Sequence, residues 1–136
     1  MKIQQIIVII LIIVSGVFYF HLTEADSERE IRKVIRILDG DTVELDGAQK
    51  TRFLGLNAPE TSMDLSEDAT KFLEDTIEGE LIEIESPGID KYDRLLSHVF
   101  IGERHINEEI LRQGLGALYY YEKDEHYDSL KEAEEF

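Results

Sequence analysis

The stretch from Ile31 to Leu56, IRKVIRILDGDTVELDGAQKTRFLGL, restricts the fold most. Ile31, Val34, Ile35 and Ile37 make its first run rich in β-branched residues, which favours a strand. Asp39–Gly40–Asp41 turns the chain, and Thr42-Val43 starts a second strand. Asp46–Gly47 is a hairpin-forming pair that feeds a third strand ending at Leu56. The fold must therefore accommodate a three-stranded antiparallel meander.

The rest of the chain alternates helix and strand signals. SEDATKFLEDTIEG predicts a helix, with Ser66 as N-cap, Ala69, Phe72, Leu73 and Ile77 on one apolar face, and Gly79 as the stop. ELIEIES predicts a strand broken by Pro87–Gly88, and RLLSHVFI predicts another. INEEILRQG reads as a short helix capped by Asn107, ALYYY as an extended piece, and HYDSLKEAEEF as a charged helical tail. Five strands in so short a chain imply a closed or nearly closed barrel with helices over one end. The expected class is α+β, mainly β: a five-stranded OB-fold barrel with about three helices, plus an N-terminal hydrophobic helix.

That first helix is a different kind of sequence. Ile6 to Phe20 is apolar apart from Ser15 and Gly16, and no charged side chain lies between Lys2 and Glu24. Residues 1–26 are expected to be a signal peptide or membrane anchor with a short linker, and residues 27–136 the folded domain. The weak cleavage site at Thr23 to Ala25 favours an anchor through residues 6–22. Either way the domain is expected outside the cytoplasm, secreted or membrane-anchored. With no cysteine, disulfides, thiol catalysis and thiolate metal sites are excluded. The net charge of −16 argues against a protein that coats nucleic acid, although a small basic cleft on an acidic body is compatible with it.

Three clusters carry the chemistry. Each has an ordinary explanation by itself. DGDTV is a turn, RFLGLNAPET is a strand end and turn, and DKYDRLL is a charged loop before a strand. Together they supply Asp41, Arg52, Glu60 and Arg94: one acidic metal ligand, one carboxylate base and two guanidiniums. Those groups suit attack of water on a phosphodiester. The four histidines, His21, His98, His105 and His126, are scattered without ligand spacing and receive no catalytic role.

VIRILDGDTVEL, TRFLGLNAPET, DKYDRLL and INEEILRQGLG, in that order, resemble the thermonuclease (staphylococcal nuclease-like) family over roughly residues 31–135. The resemblance implies an OB-fold nuclease that uses Ca2+ and cleaves DNA and/or RNA; a single-stranded substrate is expected because an OB cleft tracks the backbone and stacks bases on aromatics such as Tyr92 and Tyr120, and a monomer is expected. It implies that Asp41, Asn57 and the backbone carbonyl of Ala58 hold calcium. It makes Glu60 the general base, with Arg52 and Arg94 as catalytic arginines. Lys91 and Tyr92 would hold a terminal phosphate, and Tyr120 would line the nucleotide pocket. Asn57 departs from the family, since a carboxylate often stands there; weaker calcium binding is expected. The alternative is a non-catalytic OB-fold module that binds nucleic acid or a protein partner.

Overall fold

The computed structural model describes residues 3–22, 28–59 and 64–136, with the side chains of residues 16–22 excepted. Helix α1 (Ile3–Leu22) comes first, and its described side chains are exposed. Among the described residues, no helix is long and apolar enough to cross a membrane.

The meander forms, but its third strand stops at Phe53, where the Leu54–Gly55 turn, with Gly55 at a positive φ, puts Leu56 in a separate short strand. Strands β1 (Glu30–Asp39), β2 (Thr42–Leu45) and β3 (Lys50–Phe53) pair antiparallel in sequence order. Asp39 pairs with Thr42 across the Gly40–Asp41 turn, and a 3-10 turn at Asp46–Ala48 joins β2 to β3. Strand β5 (Leu81–Ile89) pairs with β1, and β6 (Leu95–Ile101) pairs with β5. The decisive contact is between β3 and β6, which pair in parallel and match Thr51 with Leu95 and Arg52 with Leu96. That pairing closes β1, β2, β3, β6 and β5 into a five-stranded OB barrel. Thr51 and Ser97, both fully buried on this seam, share a 2.6 Å hydrogen bond between hydroxyls.

Short strands β4 (Leu56–Asn57) and β8 (Ala117–Leu118) pair with each other, and β7 (Arg104–His105) extends β6. Helix α2 (Asp64–Ile77) buries Ala69, Leu73 and Ile77, spaced one turn apart, against the barrel. Helices α3 (Ile106–Arg112) and α4 (Tyr127–Glu135) pack on one another, α4 burying Leu130 and Ala133. The core runs from Val34, Val43, Leu45 and Phe53 through Ile82, Ile84 and Val99 to Ile106 and Ile110.

Two expected caps are used differently. Helix α2 already begins at Asp64, so Ser66 is buried inside it and its carbonyl accepts from the Thr70 hydroxyl. Asn107 does not cap α3. Its side chain is fully buried, accepts from the Val99 N–H at 2.9 Å and donates to the Leu54 and Ser97 carbonyls. A polar side chain that stitches three segments together satisfies backbone groups the barrel would otherwise bury unpaired.

Three of the four histidines, His98, His105 and His126, lie together in space, while the side chain of His21 lies outside the described residues. His98 and His105 are buried, and their rings and that of His126 lie 4.2–5.1 Å apart, centroid to centroid. Asp124 accepts from His98 at 2.7 Å and Glu108 lies 3.0 Å from His105. Burial pushes both imidazoles below the usual histidine value, His105 to about 4.

Candidate active site

The site begins at the tightest turn of the meander. Gly40 lies where a Cβ would come 2.6 Å from the Ala69 Cβ and 2.8 Å from the Ala58 Cβ. Only glycine lets the turn seat against α2 and the segment after β4. This close approach orients the two aspartates that flank it. Asp39 accepts the Asp41 N–H through Oδ1 at 3.0 Å. Burial, with the Asp41 carboxylate beside it, raises the Asp39 carboxyl above its ordinary value.

Asp41 is gripped from three sides. Its carbonyl accepts the Phe53 N–H at 2.8 Å, which ties it to β3. Its Oδ1 accepts from the Thr42 hydroxyl at 2.9 Å, and its Oδ2 accepts the Ala58 N–H at 2.9 Å. Ala58 thus meets Asp41 through its amide N–H.

Arg52 projects from β3 into the same place. Its Nη2 donates to the Leu56 carbonyl at 3.1 Å and to the Asn57 side-chain oxygen, and lies 3.7 Å from Asp41 Oδ2. Asn57 Oδ1 and Asp41 Oδ2 therefore converge on one cationic nitrogen. Oxygen donors converging around a positive charge are the kind a hard divalent cation takes. The donor set of Asp39, Asp41 and Asn57 contains no nitrogen or sulfur and fits such an ion.

Arg94 approaches from the neighbouring strand. It immediately precedes Leu95, the parallel partner of Thr51. Strand alternation puts Arg94 on the same face of β6 as Leu96, the partner of Arg52. Asp90 holds it there: its Oδ2 accepts from Arg94 Nε at 2.7 Å, and its Oδ1 accepts the N–H groups of Tyr92 and Arg94. Those donors outweigh partial burial and keep the Asp90 carboxyl below its ordinary value. Tyr92 is 67% exposed, with Lys91 Nζ 5.0 Å and the Arg94 guanidinium 5.3 Å from its ring centre. An exposed ring flanked by two cations suits a base stacked beside a phosphate.

Tyr120 is more enclosed than its neighbours. Its hydroxyl donates to Asp124 at 2.9 Å, and its ring lies against Gly55 and Tyr127. Burial raises its hydroxyl well above the ordinary tyrosine value. Tyr119 and Tyr121 instead face solvent, edge to face at 5.1 Å. The Tyr119 N–H binds the Gly55 carbonyl, close to the turn that Arg52 holds. Glu60 lies outside the described residues. The structure thus brings Asp41, Arg52, Asn57 and Ala58 into contact and sets Arg94 on the adjoining strand. Asp39, read in the sequence only as part of a turn, joins them. The signal was its position two residues from Asp41 across a glycine, a spacing that also describes an ordinary turn.

The family model for staphylococcal nuclease homologues matches residues 50–136, more than half of the chain. The chain belongs to the staphylococcal nuclease family. The thermonuclease of Staphylococcus hyicus is 28% identical over 114 residues, covering 76% of this chain and 68% of that protein. The thermonuclease of Staphylococcus intermedius is 26% identical over 138 residues, covering 93% of this chain and 82% of its own length. An uncharacterized endonuclease of Haemophilus influenzae is 28% identical over 102 residues, covering 72% of this chain but only 57% of its own length. These three relatives are nucleases by name, and the region of this staphylococcal nuclease family member that the family model matches includes Arg52, Asn57, Glu60 and Arg94.

Proposed function

We propose that the protein is a calcium-dependent nuclease hydrolysing phosphodiester bonds of DNA, RNA or both, acting on single strands as a monomer. Residues 27–136 form its catalytic domain in this proposal. Residues 1–26 place that domain outside the cytoplasm, as a signal peptide or a membrane anchor. The observation that carries the proposal is the convergence of Asp41 Oδ2 and Asn57 Oδ1 on Arg52, in a chain whose family relatives are nucleases.

Asp41, Asn57 and Ala58 would hold calcium, with Asp39 behind Asp41. Calcium bound there supplies polarisation of a phosphoryl oxygen and a position for water. Arg52 and Arg94 bind the phosphate oxygens, where charge grows as the phosphorus becomes five-coordinate. Glu60 takes the proton of the attacking water. One ester P–O bond breaks as the new P–O bond forms, and the departing alkoxide is protonated from solvent. Tyr92 and Lys91 steady the nucleotide beside Arg94.

The test is cleavage of single-stranded DNA and RNA by the full chain, with calcium and with chelator. Arg94→Ala is expected to lower turnover by about 10²–10³-fold, and Glu60→Gln by about 10²–10⁴-fold. A folded protein that cleaves neither substrate with calcium present would refute the enzyme and leave a non-catalytic OB module.

A further inference from the structure

Three of the chain's four histidines converge in the fold from separate segments: His98 from β6, His105 from β7 and His126 from the residue before α4. Beside them lie Glu85 on β5 and Glu125. One ligand atom each from Glu85, Glu125 and His126 falls within 4.8 Å of the other two. His126 Nε2 is 2.8 Å from Glu85 Oε2 and 3.8 Å from Glu125 Oε1. We propose that Glu85, Glu125 and His126 form a binding site for a zinc-like divalent transition-metal ion.

The geometry is near what such an ion needs. Zinc bonds of about 2.0–2.2 Å in a tetrahedron separate the ligand atoms by about 3.3–3.6 Å. The two separations from His126 bracket that value, and the two carboxylate oxygens lie within 4.8 Å of each other. Two carboxylates match the charge of a divalent ion. An imidazole in the set favours zinc, nickel or copper over calcium, which prefers oxygen alone.

The surroundings pre-organise the ligands. Glu85 is only 8% exposed, and Arg29 Nε holds its Oε1 at 2.8 Å, so that Oε2 faces His126. Metal-binding carboxylates are commonly steadied in this way by a second partner. His98 and His105, engaged by Asp124 and Glu108, wall the site on one side. Phe100 stacks on His105 at 4.5 Å and closes the apolar floor. Glu125 is exposed, which gives an ion an entry path. Three protein ligands leave a fourth position for water.

Binding would clamp α4 to the barrel, because His126 immediately precedes that helix and Glu85 belongs to β5. The site uses none of the residues assigned to phosphodiester cleavage, so it stands or falls separately from the proposed enzyme.

The test uses the full chain without a polyhistidine tag, freed of metal by chelator and then titrated with zinc chloride by calorimetry. One equivalent should bind and raise the melting temperature by several degrees, and His126→Gln should remove that rise while leaving any effect of calcium unchanged. Cobalt substitution should give the visible absorption of a four-coordinate nitrogen–oxygen site. Glu125→Gln, at an exposed position, and His126→Gln should each weaken zinc binding at least tenfold. Absence of zinc binding overturns the proposal. So does zinc binding that Glu125→Gln and His126→Gln leave unchanged, which would place the ion among the oxygen donors around Asp41.

Discussion

Arg52 donates through Nη2 to the side-chain oxygen of Asn57, five residues further along the chain. In the proposed calcium site a divalent ion would compete with this guanidinium for the same oxygen. A carboxylate at position 57 would favour the ion, because the net charge of the oxygen ligands tunes calcium affinity. Asn57→Asp is expected to tighten calcium binding about tenfold, or about 1.4 kcal/mol, read by calorimetry on the full chain. Unchanged or weaker binding would remove residue 57 from the metal shell.

Gly40 has no room for a side chain, with Ala58 and Ala69 both under 3 Å from where a Cβ would stand. Gly40→Ala is expected to destabilise the protein by about 1–3 kcal/mol through overpacking. It should also displace Asp39 and Asp41, so calcium affinity falls alongside stability. Urea unfolding and calcium titration of the same variant check both effects. A stability loss with calcium affinity intact would separate the turn from the metal site.

Asp90 gives a pH signature. Its folded carboxyl lies below the ordinary value of 3.8, held there by N–H groups of Tyr92 and Arg94 and by the Arg94 side chain. A depressed carboxyl stabilises the fold fully above its unfolded value, and that contribution is lost as pH falls through the folded value. The stability difference between wild type and Asp90→Asn should therefore be constant near neutrality and shrink below about pH 4. Urea midpoints measured from pH 7 to pH 3 decide it; a difference that persists undiminished at pH 3 would contradict the assignment.

Tyr92 and Tyr120 should separate in their effects. Tyr92 is exposed between two cations, and its removal strips a stacking surface of about 1–3 kcal/mol per base. Tyr92→Ala is expected to raise KM for single-stranded substrate by about 5–150-fold with stability unchanged. Tyr120→Phe loses only the hydroxyl bond to Asp124. It should cost about 1 kcal/mol of stability and leave KM close to wild type. A KM that Tyr92→Ala leaves unchanged would take the stacked base off Tyr92.

The meander was legible because its signals are local. Two Asp-Gly turns and β-branched runs each speak for their own few residues, and the structure has β1, β2 and β3 where those runs lie. The Ala69, Leu73 and Ile77 face of α2 was legible for the same reason. Asn107 misled because an asparagine at a helix start is the ordinary cap, whereas here Leu54, Ser97 and Val99 claim its side chain from distant segments. The histidines misled likewise. Ligand spacing along the chain is a sign of sites on one helix or loop, and His98, His105 and His126 come from three elements. Of the candidate site residues, Asp41, Arg52 and Arg94 could be grouped from their chemistry in the sequence, and the family resemblance gave each its expected role. Nothing in the local sequence distinguishes Asp39 from a turn residue.

The amide of Asn107 has a bearing on how the protein can be made. It fastens residues 54, 97 and 99, so the seam between β3 and β6 lacks its rivet until residue 107 is present. A ribosome or a secretion channel delivers the chain from its N-terminus. Arg52 and Arg94, the arginines assigned to catalysis in the proposed function, therefore emerge before the structure that fixes them can lock. Activity should arise in one late step rather than accumulate, and Val99 amide protection should be missing from any fragment that stops short of Asn107.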